Sequence, residues 1–212
     1  MTNTRKTLNM DTVYSYADSY ETATGIRCAV IDSKGRELHR GKICCELCDK
    51  LRESPEFNEK CIRNHLYGAY QAERFGGKYV FFCHMGLAHF ISPVTEDGLV
   101  KGALLGGPII LSNDEELQPE DIIGNQPFAK ELLKYKDYFN HIPMVSTLRT
   151  EALSDILYSV AIFVSYGTQG PYESNREFQD MQGAINDYIL SLKKEEDENK
   201  IDPYPLEKEK EL

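Results

Sequence analysis

The chain has 212 residues, of which 34 are acidic and 24 are basic, so its formal net charge at pH 7 is −10. This balance disfavours a nucleic-acid surface or a polybasic membrane anchor, because both need clustered Lys and Arg. Residues 102–113, the longest nearly uncharged run, fall far short of the roughly 20 apolar residues of a spanning helix. Residues 1–6 have no apolar core behind their charges, so they do not resemble a signal peptide. We therefore expect a cytoplasmic protein with one domain plus an extension.

The first part of the chain predicts a helix, a hairpin and two more helices. Apolar residues at helical spacing predict a helix over residues 8–22. Two strands over 26–31 and 37–40 flank a turn that is typical of hairpins. Two helices follow, over 44–52 and 54–75, the second with a proline early in its first turn and two glycines after its end.

Three strands in a row are predicted next, over residues 79–83, 88–94 and 99–111. A turn with Gly98 joins the last two as a hairpin. Strands separated by a helical insertion, with antiparallel neighbours, indicate an α+β domain with one sheet that helices cover on one face. Helical patterning resumes after Pro119.

The C-terminal part predicts helices and then a tail. Residues from Ser146 onward carry one apolar stripe, and apolar residues within 168–192 repeat at alternating spacings of three and four. That seam is compatible with the coiled coil of a homodimer, or with a terminal helix packed on its own domain. We expect one folded domain over 1–167, this helix over 168–192 and a disordered acidic tail over 193–212.

The six cysteines are the most unusual feature of the composition, since four fall between residues 44 and 61. Cys45, Cys48, Cys61 and Cys83 offer the thiolates that zinc or an iron–sulfur cluster requires, and spacing does not choose between the two. Buried free thiols are the alternative, because cysteine is among the residues most often buried. A thioredoxin-like CxxC is less favoured, since no βαβ pattern surrounds Cys45 and Cys48.

A second candidate site lies at the end of the strand over 79–83. His84 follows Cys83 there, and Gly86 indicates a bend that turns these side chains into a pocket. His84 could bind a small ligand or a metal, or be a structural residue. Gly106 lies in a glycine-containing strand with no phosphate-loop pattern, which fits close approach of a backbone or a ligand. No catalytic triad or carboxylate pair stands out, so we do not expect an enzyme.

Several of these residues together carry a resemblance to a known family, namely Cys48, Cys61 and residues 83–87, 92–94 and 102–108. They resemble the PocR sensory domain over roughly residues 8–165, and the Cys-His-x-Gly-Leu segment is the most specific part. The resemblance implies a PAS-like fold and a ligand that is a small hydrocarbon derivative, such as propanediol or glycerol. Pro108 stands where the family usually has Gln, and Cys44 and Cys45 add thiols to the family's usual set.

The expected function is that of a cytoplasmic sensory domain. It would bind a diol- or alcohol-like ligand at His84, Cys83, Gly86 and Gly106, and signal through its C-terminal helix to a transcriptional or kinase output. The alternative is a metal, iron–sulfur or redox sensor that uses the four thiols named above, with zinc or an iron–sulfur cluster as cofactor. We expect a homodimer without direct nucleic-acid or membrane contact. The chain would be either a truncated sensor or a stand-alone one.

Overall fold

The computed structural model describes residues 8–112 and 135–166. Its helices are α1 (Met10–Thr24), α2 (Glu46–Arg52), α3 (Pro55–Arg74), α4 (Lys136–Phe139) and α5 (Thr147–Tyr166). Its strands are β1 (Cys28–Asp32), β2 (Glu37–His39), β3 (Tyr79–Phe82), β4 (Ala88–Glu96), β5 (Leu99–Leu111) and β6 (Met144–Val145). Three predicted segments lie outside the described residues: the helical pattern after Pro119 as far as residue 134, the helix over 168–192 and the tail over 193–212. The domain boundaries built on them remain predictions.

Five strands form an antiparallel sheet in the order β2-β1-β5-β4-β3, and the short β6 pairs in parallel with β5. The helices α2 and α3 are inserted between the first hairpin and the three-strand meander. The predicted α+β class, an antiparallel sheet with inserted helices, is therefore confirmed. The helix α4 lies within the stretch after Pro119 for which helical patterning was predicted, whereas strand β6 carried no signal in the sequence patterns.

Helices cover both faces of the sheet, so the prediction of one covered face was wrong. On one face Val30, Phe90 and Leu104 pack with residues of α1 and α5. On the other face, alternate residues of the same strands pack against α3 in a separate cluster that includes Ile31 and Leu105. The sequence of β5 carried a signal for this arrangement, because its apolar residues do not alternate with polar ones. Nine consecutive residues of the strand are buried. A continuous apolar run, rather than alternation, is typical of a strand buried on both sides.

A buried carboxylate joins α1 to the segment that leads into α2. Glu21, which is 1 % exposed, accepts backbone N–H bonds from Cys28 at 2.8 Å, Lys42 at 2.6 Å and Ile43 at 3.1 Å. Gly41 makes this approach possible, since a Cβ at that position would lie 2.0 Å from Glu21 Oε1. One side chain thus holds the start of β1 and residues 41–43 in a fixed relation.

None of the described helices is both long enough and apolar enough to cross a membrane.

Replacing Glu21 with Gln should lower the free energy of unfolding by about 3 kcal/mol, because an amide NH₂ then faces backbone N–H donors that lose a charged acceptor. The measurement is urea unfolding followed by circular dichroism. The control is Glu59→Gln, which removes an exposed i,i+4 ion pair with Arg63 and should cost about 0.5 kcal/mol or less. Equal losses in the two variants would contradict the role given to Glu21.

Candidate functional site

The turn between β3 and β4 presents the histidine that the sequence singled out. It is closed by two backbone bonds, Cys83 N to Leu87 O and Gly86 N to Cys83 O, both 2.9 Å long. Gly86 has a φ of 74°, which favours glycine. The backbone N–H of His84 donates to Asn64 Oδ1 on α3 at 2.7 Å. The turn is therefore held against α3.

The ring of His84 packs beside Phe57, with 5.8 Å between the ring centroids. Both ring nitrogens are buried, and neither has a hydrogen-bond partner among the described residues. Burial, helped by the nearby charge of Lys60, lowers the pKa of His84 to about 4. At pH 7 the ring is therefore neutral and offers one N–H donor and one acceptor.

Three of the four candidate thiols lie in one small core cluster. Cys45, Cys48 and Cys83 pack there with apolar residues of α2, of the β3–β4 turn and of α4. Cys61 lies on α3 outside that cluster, and the guanidinium of Arg52 acts on the pKa of its thiol. Burial raises the pKa of Cys61, and it raises the pKa of Cys83 to about 11.

The predicted four-thiolate site is not assembled within residues 8–112 and 135–166. No group of three His, Cys, Asp or Glu side chains in this part of the chain is placed to hold a metal ion. All six cysteines are free thiols. The spacing placed Cys45 and Cys48 together on one helical turn, but Cys61 lies outside the cluster that holds the other three thiols.

The CxxC pair occupies the first turn of α2, where Cys45 is the N-cap residue. A hydrogen bond from Cys48 lowers the pKa of Cys45 to about 7, and Arg27 and Arg52 add to this shift. The same bond and burial raise the pKa of Cys48. Cys45 is therefore the thiol of this pair that carries the charge.

A buried ion bridge, which the sequence patterns did not reveal, lies next to these thiols. Glu37 on β2 accepts from Arg27 Nη2 at 3.1 Å on both oxygens, and from Arg52 Nη1 and Nη2 at 2.6 and 2.5 Å. The three side chains are 5–10 % exposed. Burial alone would raise the pKa of Glu37, but the two guanidiniums outweigh it and lower the pKa. Arg27 Nη1 is buried without a hydrogen-bond partner among the described residues.

Two further histidines line the interior between the sheet and α3. His89 on β4 stacks on Phe81 with 5.6 Å between centroids, and its ring lies 6.2 Å from that of His65 on α3. Burial lowers the pKa of both rings, to about 4 for His65. His89 Nδ1 is buried without a described partner, whereas His65 Nδ1 lies 3.2 Å from Gly35 O. The one sequence signal for His89 was a histidine inside an apolar strand.

Gly106, the fourth predicted ligand residue, is paired with Phe90 across the β4–β5 ladder. A Cβ on Gly106 would lie 2.0 Å from Phe90 Cε2. The space at this glycine is thus filled by a ring of the α1–α5 face, the face opposite His89. Its part in ligand binding remains a prediction, as do those of His84, Cys83 and Gly86.

Two cavities flank the ion bridge. One of about 380 Å³ is lined by Arg27, Cys45 and Pro108, among others. The other, of about 200 Å³, is lined by Glu37 and Arg52 together with Cys61 and His65 of α3. The larger volume lies within the range of about 300–1,000 Å³ that is usual for small-molecule sites.

Comparison with known proteins assigns the chain to a family. The family model described as "Sensory domain found in PocR" matches residues 6–168. The chain belongs to the PocR sensory domain family. One curated relative is the Regulatory protein PocR of Salmonella typhimurium, which is 27 % identical over 151 residues. The aligned region covers 71 % of this chain and 49 % of the relative, so the chain spans about half of that protein's length. No solved structure matches the chain significantly.

The acidity of Cys45 can be measured directly. We expect its alkylation by iodoacetamide, located by peptide mass spectrometry, to rise with pH to a midpoint near 7. Replacing Cys48 with Ala removes the hydrogen bond to the thiolate and should raise the midpoint by about one pH unit or more. The control, Cys44→Ala, removes a neighbouring thiol without removing this bond, so the midpoint should not move. A midpoint that Cys48→Ala leaves unchanged would show that another group sets the pKa of Cys45.

Proposed function

We propose that this domain binds a small organic ligand with hydroxyl groups in the interior beside His84 and passes the event on as a signal. Membership of the PocR sensory family makes the chain a ligand-sensing signalling domain. Family membership does not give the identity of the ligand, the position of its site or the output, and these are what we propose. The name of the Salmonella relative, a regulatory protein, supports a role in regulation.

The observation that carries the proposal is a set of buried polar atoms without partners. These are both ring nitrogens of His84, Nδ1 of His89, Nη1 of Arg27 and Oγ of Ser92. Native proteins satisfy nearly all buried polar groups, since leaving one unpaired costs about 1–3 kcal/mol. A polar ligand that completes the four unpaired nitrogens of His84, His89 and Arg27 is the explanation that we propose for them.

A hydroxyl-bearing ligand suits the histidine at the turn. Because burial keeps the ring of His84 neutral, its two nitrogens can accept from one hydroxyl and donate to another. Cys83 and Gly86 belong to the same turn and would lie at the ligand's edge. A charged imidazolium would lack the acceptor.

Binding, rather than catalysis, fits the titration of these groups. A histidine with a pKa near 4 is a weak base at pH 7, and a thiol with a pKa near 11 is almost entirely protonated. His84 and Cys83 therefore match neither a general base nor an activated nucleophile. We propose that the domain is not an enzyme.

We propose that output runs through the C-terminal helix over 168–192, in a cytoplasmic homodimer without nucleic-acid or membrane contact of its own, to a transcriptional or kinase partner. Support comes from α5, which precedes this segment and packs on the sheet face opposite His89. A small shift of the sheet can be amplified when packed helices have two arrangements.

Ligand binding should appear as a rise in melting temperature. At ten times its Kd, a diol such as 1,2-propanediol stabilises the folded state by about 1.4 kcal/mol, which raises Tm by about 3–6 °C in a chain of this size. His84→Ala should abolish the shift. The control, His39→Ala, removes a histidine of β2 that pairs with Asp18 and should leave the shift intact.

Screening small diols, alcohols and amines by differential scanning fluorimetry provides the measurement. The proposal fails if no compound raises Tm, or if His84→Ala binds as tightly as the natural sequence.

The second candidate is a sensor of metal, an iron–sulfur cluster or redox state at Cys45, Cys48, Cys61 and Cys83. Its support is the shared cluster of three of these thiols and the hydrogen bond within the CxxC pair. It ranks second because the described side chains include no group arranged to hold a metal.

Elemental analysis separates the two candidates. If the first candidate is right, protein purified without oxygen should contain less than about one-tenth of an equivalent of zinc or iron. A structural metal site would keep its metal, because such sites bind too tightly to be stripped by purification. A near-stoichiometric metal content, lost in Cys48→Ala but kept in Cys28→Ala, would favour the second candidate over the first.

A further inference from the structure

The buried charges around Glu37 do not balance among themselves. Two guanidiniums, those of Arg27 and Arg52, share the single carboxylate of Glu37. A third arginine, Arg40, reaches the same carboxylate from the surface at 3.5 Å and is 64 % exposed. Arginine stays charged in proteins, so this excess is met by anions, in part by the Cys45 thiolate, whose pKa Arg27 and Arg52 help to lower.

Another buried carboxylate, that of Glu21, is already engaged. Both oxygens of Glu21 accept backbone N–H bonds, from Cys28, Lys42 and Ile43. No hydrogen bond or ion pair joins Glu21 to Arg27 in the described part of the chain. Glu21 therefore supplies no acceptor to Nη1 of Arg27.

Arg27 has one side of its guanidinium engaged and one side free. Nη2 is held by both oxygens of Glu37, while Nη1 is buried and unpaired. The side chain is 5 % exposed, so Nη1 is not satisfied by bulk water. Buried charged donors in native proteins are paired, because leaving one unpaired is expensive.

Arg27 also lines the 380 Å³ cavity, together with Cys45, Pro108, Tyr138 and Ile142. These neighbours give the cavity apolar walls with a few polar groups, which is the usual make-up of a small-molecule site. The cavity therefore has room for the body of a small molecule beside a guanidinium that lacks one partner.

We propose that Arg27 recognises the carboxylate of a small organic acid whose body occupies this cavity. The inference rests on the proposed ligand-sensing function and names the chemical class of the ligand, but it places the ligand in the cavity at Arg27, whose lining does not include His84. A carboxylate fits better than a phosphate dianion, because a single guanidinium edge is free and Glu37 already neutralises part of the charge. Arginine binds planar carboxylates through charge-assisted hydrogen bonds, which are about twice as strong as neutral ones.

A matched pair of probes tests the carboxylate. Lactate and 1,2-propanediol share a three-carbon skeleton with a 2-hydroxyl group and differ in having a carboxylate or a hydroxymethyl group at one end. Titration calorimetry on the full chain should give a Kd for lactate, or for another carboxylate of three to five carbons, about tenfold or more below that of its alcohol counterpart. Bound carboxylate should also slow the alkylation of Cys45, which lines the same cavity.

Variants at Arg27 test the residue. Arg27→Gln should weaken carboxylate binding by about tenfold or more and weaken alcohol binding by less, so that the preference for the carboxylate is lost. Arg27→Lys keeps the charge, so it is a second variant if the first does not fold, with folding checked by circular dichroism. It should lose most of the preference for carboxylate because lysine lacks the planar fork. The control, Arg36→Gln, removes an exposed pair with Asp32 and should not change either affinity.

The outcomes separate this inference from the proposed function. If alcohols bind and carboxylates do not, the ligand-sensing function stands and the inference is overturned. If carboxylates bind with equal affinity in the natural sequence and both Arg27 variants, Arg27 is not the recognition residue. If neither class binds, the proposed function and the inference fail together.

Discussion

The buried bridge in which Glu37 joins Arg27 and Arg52 is the interaction on which the site depends. It connects the residue before β1, the second strand and the last turn of α2. The helix α2 is only seven residues long, and so short a helix is marginal without tertiary contacts. The bridge anchors its C-terminal end, while Leu47 and Leu51 bury its apolar face. The position of the CxxC pair follows from that anchor.

Around this bridge the protein keeps its titratable groups in protonation states that do not change near neutral pH. Burial lowers the pKa of His65 and His84 to about 4, and that of His89 well below its ordinary value. Cys83 stays protonated. Cys45 is the exception, with a pKa near 7. The interior therefore presents nearly constant hydrogen-bonding groups to a ligand, and among the groups named here the thiol of Cys45 is the exception.

The fold followed from local patterns, whereas much of the site did not. Periodicity located the helices and strands because each buries one face, and the Cys83–Leu87 segment predicted a turn that exists. The bridge has no local signature: Arg27, Glu37 and Arg52 meet only because β1 pairs with β2 and α2 folds back toward that hairpin. The four-thiolate prediction assumed that cysteines near in sequence face one centre. Sequence spacing correctly predicts that Cys45 and Cys48 lie close together on one helical turn. It does not determine which way Cys61 on α3 faces.

The alternation of side chains along β4 has a mechanical consequence. His89 faces α3 and the interior, while its neighbour Phe90 faces α1 and α5, where its ring lies 6.4 Å from that of Tyr20. Further along the same strand, Thr95 N–H donates to Ser165 Oγ near the end of α5. Because His89 and Phe90 are adjacent on one paired strand, an event that displaces β4 at His89 displaces Phe90 as well, whereas an irregularity in the pairing with β5 lies between Val94 and Thr95, before the Thr95 contact. The side chains of His89 and Phe90 therefore cannot move independently, although they lie on opposite faces of the sheet.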